Sequence, residues 1–378
     1  MTDKDGDKKD MPLIEQGPIR PPSEARSLLL RVTRNCSWNR CEFCHIYKGQ
    51  RFSPRTVEEV KKDIDAIKAI VTDIREGGSG SVLSRSRQYP ESYHNALIWL
   101  HSGAKNVFLQ DANNLILRTK DLVEILTYLK KEFPSVDRIT TYSRARTVAR
   151  KPLAELKALH DAGLSRVHIG LESGSDRILE YVQKGVTARE HMEAGKKVKE
   201  SGISLSEYIM PGLGGKSLWK EHAVETARVL SHIDPDFIRV RTLKVLSIMP
   251  LHRKIEAGEL QLLSDDEIVA EQRLLIENLN GISSFFASDH ILNLLEELEG
   301  QFPEAKEAML QTIDRYLGLA QHERENFRLG RRAGFYHSLD DLNNPGLRSQ
   351  VDLIMRRIQA QGPGNFEQVI SELMESFI

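Results

Sequence analysis

Two periods alternate along the first two thirds of the chain. Short stretches with apolar residues at every second position are separated by longer ones with apolar residues three and four apart. Strands are expected at 28–33, 104–111, 137–144, 165–172, 203–210 and 235–243. Between them, Val57, Val60, Ile64, Ile67 and Ile70 mark a helix. Further helices are expected at 91–101, 119–133, 151–162, 175–184, 188–201 and 216–233. Six strand–helix alternations predict an α/β fold built on a parallel barrel or open sheet.

The strands alternate more than buried parallel strands usually do. Val167, Ile169 and Leu171 share one face, with His168, Gly170 and Glu172 on the other. Ile203 and Leu205 oppose Ser204, Ser206 and Tyr208, and Ile238 and Val240 oppose Arg239 and Arg241. The apolar faces would pack on helices and the polar faces line a wet lumen. An antiparallel sheet gives the same alternation, but the intervening helices speak against it.

Beyond Leu243 the alternation stops. Helices are expected at 250–257 and 265–279, a last strand at 281–288, and helices at 290–299, 303–319, 350–361 and 365–376. This divides the chain into a barrel over 27–290 and a C-terminal helical domain over 291–378. The polar, proline-bearing stretch 1–26 reads as a disordered tail. The glycine- and serine-rich stretch 77–87 reads as a loop.

Charge and cysteine usage narrow the function. A net charge of −1 gives no global attraction to nucleic acid, which is therefore not expected as a partner. No apolar run approaches the ~20 residues of a membrane helix. No signal-like segment precedes the cysteines, so a reducing cytoplasm is expected.

All three cysteines, Cys36, Cys41 and Cys44, fall in NCSWNRCEFCHIYK, directly after the first strand. Four readings compete. A zinc site would recruit His45, but Cys44 and His45 are adjacent, which suits a closed tetrahedron poorly. A redox dithiol at Cys41 and Cys44 leaves Cys36 without a role. Three unrelated buried thiols explain neither their clustering nor their absence elsewhere. A 4Fe–4S cluster held by three thiolates, with one iron open, accounts for count, clustering and position.

Cysteines after the first strand of a six-fold β/α pattern, with Phe43 just before the last, resemble the radical S-adenosylmethionine (SAM) superfamily. The resemblance extends to GLSRVHIGLESGSDRILEYVQKGVT, similar to the fourth-strand segment of the branch with methylthiotransferases, the Elongator catalytic subunit and oxygen-independent coproporphyrinogen oxidase. It implies a partial (β/α)6 barrel of radical SAM type, a 4Fe–4S cluster on Cys36, Cys41 and Cys44, and SAM as cofactor. It further implies that Glu172 contacts the ribose, and that Ile209, Met210, Gly212 and Gly214 pass the adenine. Phe43 and Tyr47 would pack on the adenine or fill the core. FLQDANN stands where the family carries Gly-Gly-Glu, so Gln110, Asp111 and Asn113 are the substitutes for holding the methionyl amino group. The loop also departs from the common spacing, with four residues between the first two cysteines instead of three.

Basic residues recur at the predicted strand ends: Arg31, Arg34, Arg144, Arg146, Arg239, Arg241 and Lys244. One, with Arg144 the leading candidate, would pair with the cofactor carboxylate; several converging would imply a small anionic substrate. His168 would touch the cofactor or Glu172, or sit satisfied in the core. Asp289 would cap a helix beginning at His290, with a substrate-side role for the pair as the lesser option. The resemblance implies reductive SAM cleavage with a flavodoxin- or ferredoxin-type electron donor. A tRNA-modifying enzyme of the same superfamily and a non-enzymatic zinc scaffold are the alternatives.

Overall fold

The computed structural model describes residues 14–76, 91–360, 362 and 365–377; the loop expected at 77–87 lies outside them. The strands are β1 (Leu28–Arg31), β2 (Thr33–Arg34), β3 (Ser53–Pro54), β4 (Asn106–Gln110), β5 (Arg138–Ser143), β6 (Leu164–Glu172), β7 (Ser204–Ile209), β8 (Phe237–Val240), β9 (Phe285–Ala287) and β10 (Glu299–Gln301). The barrel helices are α1 (Val57–Glu76), α2 (Glu91–His101), α3 (Thr119–Glu132), α4 (Ala145–Arg150), α5 (Leu153–Asp161), α6 (Asp176–Tyr181), α7 (Ala188–Glu200) and α8 (Gly215–Ile233). After them come α9 (His252–Glu256), α10 (Asp265–Asn278), α11 (Lys306–Leu317), α12 (Gln321–Arg332), α13 (Pro345–Gln359) and α14 (Asn365–Glu375).

Six strands run parallel in chain order, β1–β4–β5–β6–β7–β8. β9 continues the parallel set on β8, and β10 ends it antiparallel to β9. β1 and β10 are not paired with each other, so the barrel is partial. The alternation sorts as expected. Leu28, Leu30, Val107, Leu109, Val167, Ile169, Leu205 and Ile238 join the helices in one buried apolar cluster. The opposite face carries a column of rings across four strands: Phe108, Tyr142, His168 and Tyr208, with successive centroids 5.2, 5.7 and 6.0 Å apart.

Three expectations need correction. The stretch up to Arg26 is folded against the barrel from Ile14 onward. Gly17 exchanges hydrogen bonds with the Gln110 amide, and the buried Glu24 carboxylate takes two bonds from Arg138, both 3.0 Å. No helix forms at 290–299. Leu292, Leu294, Leu295 and Leu298 are buried from a run of turns, and Asn293 bonds the Thr242 N–H and the Val240 carbonyl. Asp289 accordingly caps nothing and pairs with Arg239 at 2.5 Å. The C-terminal helices bury Ile313, Phe327, Val351 and Ile370 in the same apolar cluster as the barrel, not in a core of their own.

Two helices were not foreseen. α4 is a single short turn set between β5 and α5. α12 buries Asn326, Arg328, Arg331 and Arg332 alongside Phe327 and Leu329, so charged and apolar residues share its inner face and the two apolar ones are too few to mark a helical period. Arg328 and Arg332 satisfy that face by sharing the buried Asp265 at the start of α10.

Candidate active site

The cysteine loop leaves β1 at the C-terminal end of the barrel and is gripped by side chains from several elements. Asp111, fully buried after β4, accepts from the Asn35 N–H (2.8 Å), the Arg31 guanidinium (2.8 Å) and the Tyr47 hydroxyl (3.0 Å). Asn113, also buried, donates to Ser37 Oγ and Thr147 Oγ1 and accepts from Ser143 and the Arg144 N–H. Glu42 is held by Gln183 (2.6 Å) and Lys254 (2.7 Å). Trp38 donates to the Gln183 carbonyl, and its ring sits within about 5 Å of the Arg40 and Arg144 guanidinium groups. Gly185 is required there: a Cβ at that position would meet the Trp38 ring at 2.1 Å.

Cys36, Cys41 and Cys44 are each half-buried. Burial pushes the Cys41 and Cys44 thiols above their ordinary range, and Cys36 lies close enough to push both further. Lys184 and Arg144 pull Cys41 the other way. Among the described residues no three His, Cys, Asp or Glu side chains are arranged around a single ion. Three thiols on one loop, each within electrostatic reach of another, suit a cluster several atoms wide.

Lys184 links the loop to the fourth barrel strand. Its ammonium lies 2.7 Å from Glu172 Oε1 and 5.5 Å from the Phe43 ring centre. Burial pulls its pKa down, but Glu172 and Cys41 outweigh it and the ammonium is held above its ordinary value. Glu172 has φ +61, a left-handed conformation at a register shift in β6. This bulge turns its side chain over Gly170.

Beyond Glu172 lies the glycine-rich turn. The Met210 N–H donates to the Glu172 carbonyl at 3.0 Å, which ties the turn to the bulge. Phe43 and Met210 pack in one small apolar cluster with Ile178, Val182, Leu213 and Leu243. Gly212 has φ +93 and its N–H donates to Glu271. Ile209 differs: its side chain joins the main core and its carbonyl accepts from the Arg241 N–H.

The structure thus brings Cys41, Phe43, Arg144, Glu172, Met210 and Gly212 around one end of the barrel. It gives the other candidates different work. Gln110 is spent on Gly17 and Ile19, and Asp111 and Asn113 are saturated by the bonds described above. Tyr47 is an anchor for Asp111. His168 lies in the lumen 3.6 Å from Glu24, with aromatic rings as its other neighbours.

The basic residues do not converge as a set. Arg31 and Arg34 share Glu15, Arg239 pairs with Asp289, Lys244 with Glu375, and Arg146 with Glu190. Arg144 donates to the Lys184 carbonyl. Arg241 is exposed and has no carboxylate partner among the described residues.

Lys184, Trp38, Glu15, His222 and Glu271 were not singled out from the sequence. Lys184 had one signal, a lysine immediately before a glycine at a helix end. The rest are isolated residues far apart in the chain.

Among curated proteins, the chain is similar to an uncharacterized methyltransferase of Pyrococcus horikoshii: 30% identity over 213 residues, covering 55% of this chain and 38% of the relative. It is also similar to a tRNA-2-methylthio-N(6)-dimethylallyladenosine synthase of Hahella chejuensis: 25% over 200 residues, 52% of this chain and 39% of the relative. The chain therefore spans well under half the length of these relatives. Among solved structures, it is similar to the coproporphyrinogen III oxidase of Escherichia coli, at 16% identity and a TM-score of 0.46, over 67% of this chain and 52% of that one. The radical SAM superfamily profile matches residues 30–227, from β1 into α8. With just over half its length matched in this way, the chain belongs to the radical SAM superfamily, enzymes that work with a 4Fe–4S cluster and S-adenosylmethionine.

Proposed function

We propose that Cys36, Cys41 and Cys44 hold three irons of the cluster, and that SAM lies between this loop, Glu172 and the turn at 210–214. When bound, cluster and SAM together supply a 5′-deoxyadenosyl radical on one-electron reduction. The chain's own residues do the positioning. Lys184, near Cys41 and bound to Glu172, would offer a cation to the SAM carboxylate. Glu172 offers its second carboxylate oxygen to the ribose hydroxyls. Phe43 and Met210 cover the adenine and keep water out. Arg144 holds the 184–185 backbone and so positions Lys184.

The observation that carries this reading is the Lys184 ammonium, 2.7 Å from the acid of β6 and 5.5 Å from the ring centre of Phe43 in the cysteine loop. The test is anaerobic reconstitution of the full chain with iron and sulfide. A cluster absorbing near ~400 nm and dithionite-dependent formation of 5′-deoxyadenosine are expected. Iron-loaded protein that forms no 5′-deoxyadenosine would reject it.

The substrate side is the ring-lined lumen below. The Tyr208 hydroxyl is buried with no partner among the described residues, and Tyr142 stands next to it. Arg241, not the arginine set as a whole, is proposed to meet an anionic group of a small substrate there. A flavodoxin- or ferredoxin-type donor is proposed to deliver the electron.

A second reading draws on a groove of about 680 Å3 beside the loop, lined in part by Trp38, Arg144, Arg146, Arg150 and Lys151. An aromatic ring among cations suits a single-stranded nucleic acid, and one relative is named as a tRNA-modifying enzyme. Salt-sensitive retention of tRNA, lost in Arg150→Glu, would support it; no retention at low salt would dismiss it.

A further inference from the structure

His222 on α8 and Glu271 on α10 form a buried pair that no strand or helix requires. Both are essentially without solvent exposure, and His222 Nδ1 lies 2.6 Å from Glu271 Oε1. Each uses its far side on the backbone of a different segment. His222 Nε2 lies 3.0 Å from the Glu172 carbonyl oxygen, and Glu271 Oε2 accepts from the Gly212 N–H at 2.6 Å. Burial pulls the His222 pKa down, but Glu271 raises it above the ordinary histidine value. The two ring nitrogens face a carboxylate oxygen and a carbonyl oxygen, both acceptors, an arrangement that suits an imidazolium donating on both sides.

What it ties together is specific. Glu172 and Gly212 both have left-handed backbone, φ +61 and +93, and sit where regular sheet pairing ends. At such positions main-chain groups draw on partners beyond the regular ladder: the Glu172 carbonyl takes the Met210 N–H and, from behind, His222, and the Gly212 N–H is met by Glu271. An apolar filler would serve packing equally well, since removing a buried ion pair in favour of matched apolar residues is often neutral for stability. The observed pair instead spans the two walls proposed to take the ribose and the adenine of SAM.

We propose that His222 and Glu271 are positioning residues for SAM: they fix the distance between the Glu172 bulge and the Gly212 turn, and thereby the width of the nucleoside slot. This rests on the reading of those two segments as cofactor walls. The pair touches neither the loop cysteines nor the cluster, so its loss should weaken SAM binding while leaving cluster content intact. Outer groups that orient a binding group typically matter on the order of 10- to 100-fold.

The experiment uses the full chain, reconstituted anaerobically, as wild type and as H222A, H222Q and E271Q. Iron and sulfide content are measured first. The SAM-induced change in the reduced-cluster electron paramagnetic resonance spectrum is then titrated. Wild-type cluster content with SAM affinity lowered about tenfold or more is expected for H222A and E271Q. H222Q should recover part of the loss, because its amide can still donate to the Glu172 carbonyl. An unchanged SAM affinity in H222A and E271Q overturns the proposal. Parallel loss of cluster and SAM binding in all three variants, H222Q included, also overturns it, since the pair would then hold the fold and not the slot. A wild type that builds its cluster yet shows no response to SAM would instead take down the reading of the walls.

Discussion

The Lys184 ammonium and the Glu172 carboxylate, 2.7 Å apart, together occupy the space in front of Gly170. A Cβ at position 170 would stand 2.1 Å from Glu172 Oε1 and 3.0 Å from Lys184 Nζ. Gly170→Ala should therefore displace both charged groups at an overpacking cost of about 1–3 kcal/mol. SAM affinity should fall about tenfold or more, as expected when a charged contact worth ~1.5–3 kcal/mol is lost, while cluster content holds. Titration by electron paramagnetic resonance checks this, and an alanine variant that binds SAM like wild type contradicts it.

Asp111 is expected to matter for the loop, not for SAM. Asp111→Asn leaves the Arg31 guanidinium with Glu15 alone and weakens the bond to the Asn35 N–H, next to Cys36. Breaking a buried pair in this way costs about 3–5 kcal/mol. Tyr47→Phe removes only one hydrogen bond to that carboxylate, about 1.5–3 kcal/mol. Urea denaturation should rank the two variants in that order. Reconstituted iron should fall in the first and persist in the second.

The lumen pair Glu24 and His168 gives a pH dependence of definite sign. Burial pushes the Glu24 pKa up, but the nearby His168 ring, the Ser27 hydroxyl bond and the Arg138 guanidinium outweigh it and hold it below 4.5. Burial holds His168 below 6.5 in spite of Glu24. In both cases the unfolded chain binds more protons, so each contribution is lost as pH falls: the histidine's from about 6.5 downward, the carboxylate's from about 4.5 downward. Melting temperature should drop on acidification across both windows. His168→Gln should flatten the upper one; a slope identical to wild type there would show that other groups dominate.

Each single cysteine-to-serine variant, at 36, 41 and 44, should lose most of its reconstituted iron and all 5′-deoxyadenosine formation. Its melting temperature without metal should stay near that of the wild-type apoprotein, because the loop's bonds to Asp111, Asn113, Gln183 and Lys254 do not involve sulfur. Iron analysis and calorimetry on the same samples check both halves.

The barrel was legible because its strands write their two faces in period two, as Val167, Ile169 and Leu171 against His168 and Gly170 show. The cysteine loop and Glu172 were singled out through motif and place, and Lys184 links the two in the fold. What the sequence hid is the layer behind them. Asp111 and Asn113 stand where a cofactor contact was expected, yet their local sequence carries no sign of the partners at 31, 35, 37 and 47 that occupy them. Glu15 lies in a stretch whose composition suggests disorder, and only three-dimensional proximity to Arg31 and Arg34 gives it a role. His222 and Glu271 are 49 residues apart on different helices. The leucine-rich run at 290–299 misled through its apolar content, which is spent on turns along the barrel edge.

The way the cysteine loop is fastened has a bearing on how the protein matures. The loop is already tied down by the Asp111 carboxylate, the Asn113 and Gln183 amides and the Lys254 ammonium, and by its own Trp38 indole on the Gln183 carbonyl. An inorganic core would thus arrive in a socket that has finished forming, much as a lamp is screwed into a fixed mount. On this arrangement, late filling of the site is expected to need no refolding of the chain around it.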